Sequence, residues 1–332
     1  MHTRHLSPPP SGGARETPSL ADRRQGGLLG LLMGDAAGVP FEFHHPQDLA
    51  RLPRSSFALP FVSPSPDFIR AHPTAPAHAW SDDGAQALAL LDSLHACGGL
   101  DLVDFAVRIR AWADRGDYAV NARVFDLGIQ TQRALVQLKR GVSPHESGPS
   151  DRFENGNGSL MRVLPLALWH TGSDEQLVEW AHEQSLITHG HACSQVCCAL
   201  LCLWARNLLA GATDGFDQAL GRLREVYKGR TDFEFELEQV LSAPQRMSPT
   251  GSGYVVDCLW SARHAFLASP DFEGVVGHAI ALGRDTDTTA AVAGGLAGVR
   301  AGASGLPKVW LESLALHPIL PGLLGVLSAR PV

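Results

Sequence analysis

Three short segments of this 332-residue chain gather carboxylates and hydroxyls densely enough to hold hard cations. Trp80-Ser81-Asp82-Asp83-Gly84 sets a hydroxyl beside two acids, and Gly283-Arg284-Asp285-Thr286-Asp287-Thr288-Thr289 alternates acids with threonines. Gly34-Asp35-Ala36-Ala37-Gly38-Val39-Pro40-Phe41-Glu42 carries two further acids. Oxygen donors of this kind are what Mg²⁺, Mn²⁺ or Ca²⁺ select. Taken singly, each cluster also fits helix capping, with Ser81 or Thr286 as the cap and acids in the first turn, where free N–H groups favour negative charge. Brought together, the carboxylates would repel and raise one another's pKa values, and two divalent cations would offset most of that charge.

Two rows of glycine can bring the second and third of these segments together. Gly26, Gly30, Gly34 and Gly38 recur every four residues, as do Gly294, Gly298 and Gly302. Glycine inside a helix costs about 1 kcal/mol relative to alanine, so rows at helical spacing call for close backbone approach. The spacing predicts two helices packed on their glycine faces, with the chain after Gly38 beside the chain before Gly294. Apolar residues at three- and four-residue spacing predict further helices over 85–97, 101–115, 121–140, 174–187, 191–210, 214–228, 255–268, 271–283, 287–302 and 318–329. Sustained strand patterns are nearly absent, which predicts an all-α fold in one domain over 24–332. Residues 1–23 read as a mobile, proline-rich tail, and Pro53 to Pro76, with six prolines, as an irregular surface connection.

The chain has 27 Lys and Arg against 34 Asp and Glu, a formal charge of −7, so no nucleic-acid grip is expected. Its 45% apolar content excludes wholesale disorder. Six cysteines are too sparse for a disulfide framework, and Cys193, Cys197, Cys198 and Cys202 fall at helical spacing as core residues rather than zinc ligands. His170 and His191 read as ordinary surface or core histidines, and Trp204, Trp260 and Trp310 as core anchors. The longest apolar run, Val196 to Ala205, is ten residues, half of the roughly 20 a membrane helix needs. A cytoplasmic protein without a membrane segment is expected, with a monomer as the default.

The motifs GDAAGVPFE, WSDDG, GNGSLMRVLPLAL, ITHGH, GSGYVVDCLWSA and GRDTDTTAAVAGGLAGVRAG, in that order, resemble the ADP-ribosylglycohydrolase family, which includes the dinitrogenase-reductase-activating glycohydrolases. The likeness runs from Gly26 to Gly302. It implies a compact all-α domain with a binuclear magnesium or manganese centre, hydrolysing the bond between C1 of the distal ribose and a modified side chain. By position, Ser81, Asp82 and Asp83 match one metal-ligand group, and Asp285, Asp287 and Thr288 match the other. Glu42 matches an acid that in some members binds metal or gates the cleft. His189 and the loop Asn155, Gly156, Asn157, Gly158 and Ser159 match ADP-ribose contacts. Tyr254 falls in a segment that contributes an adenine or ribose contact, and its ring suits stacking.

The implied chemistry passes through an oxocarbenium-like state at C1, with Asp82 or Asp83 as acid/base and Glu42 beside them at the catalytic centre. The glycine loop would open a helix from about Leu160 and turn N–H groups toward the diphosphate. Arg162 would meet phosphate or form a buried ion pair. Two positions depart from the family pattern: Gly84 stands where threonine is common, and Arg284 where glycine is common. Arg284 would either compete with a metal or turn outward to substrate phosphate or an acidic neighbour. The implied partner is an ADP-ribosylated protein or small ADP-ribosyl compound, arginine-linked by default, with serine-linked substrates and ADP-ribosyl esters as alternatives. The rival readings are a non-catalytic ADP-ribose binder, a structural protein in the manner of certain lens crystallins, and a two-metal phosphohydrolase.

Overall fold

The computed structural model describes residues 17–315 and 317–331, so most of the tail expected over 1–23 lies outside the described residues. Its C-terminal end is corrected. Ser19 caps the helix Leu20–Gly38 by accepting the Asp22 N–H at 3.2 Å. Buried Arg23 donates to the carbonyls of Val299 and Arg300 at 3.2 and 3.1 Å, so these residues belong to the packed domain.

Leu20–Gly38 and Thr286–Ala301 are the central pair of fifteen α-helices, and no β-strand occurs among the described residues. Both are buried nearly all round, which is why neither shows a polar face. They meet along the glycine rows. A Cβ added to Gly26 would lie 2.3 Å from the Gly298 carbonyl, one on Gly30 2.4 Å from the Gly294 carbonyl, and one on Gly34 2.1 Å from the Ala290 carbonyl. At the end of the seam a Cβ on Gly38 would lie 2.4 Å from the Asp287 Cα. Thr286 Oγ1 donates to the Gly38 carbonyl there at 2.8 Å. The seam therefore fixes where Asp287 sits relative to the end of the first helix.

Around this pair lie Asp82–Cys97, Asp174–Leu186, Ala192–Leu209 and Val255–Ala268. Ala192–Leu209 is long and apolar enough to suggest a membrane span, but 78% of it is buried inside the fold, as a core helix is. Its four cysteines face that core. His191 caps it through the Cys193 N–H, and His170 lies 2.8 Å from Gln176 Oε1. Trp204 and Trp310 are core residues, and half-buried Trp260 packs against the core beside Phe216.

Three expectations need correction. The segment 121–140 is α-helical only over Ile129–Lys139, after a single 3-10 turn at Val120–Ala122. Asn121, Ala122 and Asp126 adopt positive φ, and Val124, Phe125 and Leu127 reach the core from a loop, so their apolar spacing is satisfied without a helix. The helix expected from about Leu160 begins at Leu164, where Pro165 suits a first turn. Thr231–Arg246 is a helix whose pattern Pro244 and four acidic residues obscure.

Candidate metal centre

Asp35, near the end of the first glycine helix, is fully buried and accepts three backbone hydrogen bonds. Ser81 N donates to Oδ1 and Oδ2 at 2.9 and 3.0 Å, and Gly84 N donates to Oδ2 at 2.8 Å. It thereby satisfies first-turn donors of the helix Asp82–Cys97 and ties that helix's start to the glycine seam. Ser81 is the N-cap: its hydroxyl accepts from Asp83 N at 3.3 Å and donates to Asp83 Oδ2 at 3.0 Å. Thr288 Oγ1 reaches the same Oδ2 from the opposite helix at 3.3 Å. The capping residue of that helix is Asp285 rather than Thr286, and its Oδ2 accepts from Asn157 Nδ2 at 2.8 Å.

Oxygen atoms of Asp35, Asp83 and Asp287 all lie within 4.8 Å of one another, and so do those of Glu42, Asp285 and Asp287. The three acidic segments thus converge. Asp83 Oδ1 and Asp287 Oδ2 are buried without any hydrogen-bond donor. A bare carboxylate oxygen in the interior is strongly unfavourable until a proton or cation meets it. An all-oxygen donor set with two bare carboxylate atoms fits a hard divalent cation. Burial, then mutual repulsion, raises Asp82, Asp83 and Asp287 well above the usual carboxylate range. Burial brings Asp35 to about 7 despite the hydrogen bonds from Ser81 and Gly84. Glu42 is pushed to about 10, first by burial and then by Asp126, Asp285 and Asp35.

These shifts set a sign for stability against pH. Groups whose folded pKa is raised bind more protons folded than unfolded, so their contribution is full below about pH 4 and is lost as pH rises through the folded values. Without cations, stability should therefore fall through the titration of Asp35 near 7 and keep falling toward that of Glu42 near 10. Saturating Mg²⁺ or Mn²⁺ should offset the loss, by about 2.7 kcal/mol per site at a hundredfold excess over Kd. Melting curves in chelator and in Mn²⁺ should diverge more at pH 8 than at pH 5. Equal divergence at both would contradict the cage.

A rim adjoins the cage. Glu42 lies against His72 Nε2, and Asp126 Oδ1 stands 4.0 Å from the same nitrogen. Sequence reasoning assigned no role to Asp35, His72 or Asp126. Asp35 lies in a quoted motif, two helical turns before Glu42, which is a readable signal. His72 sits in the proline-rich connection and Asp126 in the loop mistaken for helix, and neither carries a local signal.

On the other side of Asp285, the segments Asn155–Asn157 and Gly253–Val255 pair: Asn157 N donates to the Gly253 carbonyl at 3.0 Å and Val255 N to the Asn155 carbonyl at 2.9 Å. Gly156 N is taken by Gln130 Oε1 at 2.6 Å. These two N–H groups are therefore committed to protein acceptors rather than turned to a diphosphate. Ser159 is fully buried, accepting from Ser185 Oγ at 2.8 Å, and supports the loop from the interior. A Cβ on Gly158 would lie 2.7 Å from His189 Cε1, so His189 underlies the loop. Burial and the nearby Arg162 charge lower His189 to about 3, leaving a neutral imidazole. Tyr254, partly exposed, lines a cavity of about 570 Å³ with Asn155, Arg152, His191 and Phe235.

The ADP-ribosylglycohydrolase family profile matches residues 16–329. The chain belongs to the ADP-ribosylglycohydrolase family. An ADP-ribosylarginine hydrolase Tri1 of Pseudomonas putida is 33% identical over 303 residues, covering 90% of this chain and 76% of that relative. The ADP-ribosyl-[dinitrogen reductase] glycohydrolase of Rhodospirillum rubrum is 29% identical over 298 residues, covering 90% and 92%. A solved structure described as an ADP-ribosylglycohydrolase-related protein complex aligns with a TM-score of 0.70 at 30% identity, over 94% of this chain and 98% of its own.

Both departures of this chain from the family pattern have local explanations. A Cβ on Gly84 would lie 2.7 Å from Trp80 Cβ and Cγ, so Trp80 occupies the space a threonine needs. Arg284 holds φ 62, a conformation that suits glycine, while its backbone exchanges hydrogen bonds with Phe43 and His44. Its guanidinium turns outward to the Thr250 carbonyl at 2.5 Å, away from the cage. Arg162 meets neither phosphate nor an acid: its partners are Gln184 and Gln86.

Proposed function

We propose that this chain hydrolyses ADP-ribosyl-arginine, cleaving the bond between C1 of the distal ribose and the guanidine nitrogen, with two Mg²⁺ or Mn²⁺ ions held by Ser81, Asp82, Asp83, Asp285, Asp287 and Thr288. The observation that carries the reading is the acidic rim of Glu42 and Asp126 beside a carboxylate cage with bare buried oxygens. A positively charged acceptor is the natural complement of that rim once Glu42 has given up its proton. The names of the Pseudomonas and Rhodospirillum relatives support the same chemistry.

When bound, the cations supply Lewis-acid polarisation and orientation of the ribose hydroxyls and a water. Asp83 is committed to Ser81 and Thr288 through Oδ2 and turns its bare Oδ1 to the cation site. Its neighbour Asp82 is the carboxyl that passes a proton from the water to the departing nitrogen. Hydrolysis leaves the hydroxyl on C1 and the proton on the guanidine, so no further reactant is needed. Glu42 and Asp126 hold the guanidinium, Asn157 steadies Asp285, and Tyr254 offers its ring to the adenosine end.

The test incubates the purified protein with ADP-ribosyl-arginine and ADP-ribosyl-serine peptides, with and without Mg²⁺ or Mn²⁺. Free ADP-ribose from the arginine peptide, only with cation, is expected. Release from the serine peptide alone would replace the acceptor. Inorganic phosphate as product would favour a phosphohydrolase, and no release of any kind would leave an ADP-ribose binder.

A further inference from the structure

Arg162 is a fully buried cation whose hydrogen bonds all go to neutral groups. Nε donates to Gln184 Oε1 at 3.0 Å, Nη2 to the Gln184 carbonyl at 2.8 Å and Nη1 to Gln86 Oε1 at 2.8 Å, and the guanidinium lies over the Phe105 ring at 5.2 Å. Burial lowers its pKa to about 10, so it stays charged at neutral pH. A buried charge without a counterion is unfavourable by several kcal/mol, and an apolar side chain would fill the space without that penalty. The charge therefore calls for a use.

Gln86 supplies one. It is fully buried on the first turns of the helix that Ser81 caps. Arginine has only donors, so Gln86 must turn its carbonyl oxygen to Arg162 and its amide N–H groups the other way. There Nε2 lies 3.4 Å from Asp82 Oδ2. Turning the amide round would set donor against donor on one side and oxygen against carboxylate on the other.

We propose that Arg162 and Gln86 form a positioning relay that grips the Asp82 carboxylate by Oδ2 and reserves its other oxygen for the cation site, so that a cation fixed behind the cage sets the affinity within it. This rests on reading Asp82 as a cation ligand. Partners that orient a metal-binding carboxylate change affinity by about 10- to 100-fold when removed. A purely structural role is the alternative, because Arg162 also joins the helices Asp82–Cys97 and Asp174–Leu186 through Gln86 and Gln184.

Two variants separate these. Gln86→Met keeps the volume, removes the grip on Asp82 and leaves Arg162 short of an acceptor. Gln86→Met/Arg162→Met makes the relay apolar throughout. The readouts are Mn²⁺ affinity, from paramagnetic resonance of the free ion, and Tm in chelator. Gln86→Met should bind Mn²⁺ about tenfold more weakly or worse and melt lower. The double variant should recover part of the Tm, since it removes the buried charge left short of an acceptor while Gln184 loses its donors, yet keep the weakened Mn²⁺ affinity. Affinity within twofold of the unaltered protein in either folded variant would overturn the relay. If Gln86→Met does not fold, the double variant decides alone. If the unaltered protein binds no Mn²⁺, the reading of the site fails first and the relay with it.

Discussion

Asp287→Asn should abolish turnover while stabilising the cation-free protein. Asp287 is fully buried, and its Oδ1 accepts from Thr288 N at 3.0 Å while its Oδ2 has no donor. Asparagine keeps the first bond through its own oxygen and places an amide N–H where the bare oxygen was, facing the carboxylates that repel it. Removing one of the mutually repelling charges should raise cation-free stability by about 1 to 3 kcal/mol, the scale of an unsatisfied buried polar group. The same change takes away a cation ligand, and kcat/KM should fall at least a thousandfold, about 4 kcal/mol in the barrier. Single-turnover release of ADP-ribose and melting in chelator measure the two halves. A variant that keeps a tenth of the turnover, or melts lower without cation, would return Asp287 to the role of a helix-start acid.

Along the glycine seam a single methyl group should be as damaging as a cavity. At Gly34 an added Cβ would sit 2.1 Å from the Ala290 carbonyl, a backbone atom that no rotamer change can move. Gly34→Ala should cost about 3 kcal/mol, near the top of the range for overpacking, and lower Tm by roughly 4 °C. Gly38→Ala strikes the Asp287 backbone, so it should weaken Mn²⁺ binding more than Gly34→Ala does for the same loss of Tm. Gly322, within the helix Leu320–Ala329, has nothing within 4 Å of an added Cβ and serves as the control. Alanine there should stabilise by up to about 1 kcal/mol through helix propensity. A seam variant that behaved like Gly322→Ala would mean the two helices can separate at little cost.

The acid clusters were legible because each packs several oxygen donors into one helical turn, and the glycine rows were legible because spacing survives in sequence. The glycine rows together pointed to two of the clusters meeting, since close helix approach at Gly38 places Asp287 beside Asp35 and Glu42; the arrival of Asp82 and Asp83 was settled only by the Asp35 bonds to Ser81 and Gly84. His72 and Asp126 were not legible. Each is a lone polar residue in an irregular segment, and the apolar spacing around Asp126 imitated a helix while serving a loop. The glycine loop misled in the other direction. Its composition suggested open N–H groups, whereas the fold commits Gly156 and Asn157 to Gln130 and Gly253.

The sequence alone pointed to glycine-faced helices carrying oxygens of the type that hold hard cations, because periodicity, capping and donor type act within a few residues. Tertiary structure alone decided that Arg284 points away from the cage, that Arg162 reaches Asp82 through Gln86, and that Asp126 shares a rim with Glu42. Those outcomes depend on which distant backbone occupies the neighbouring space, and no local pattern of residues encodes that.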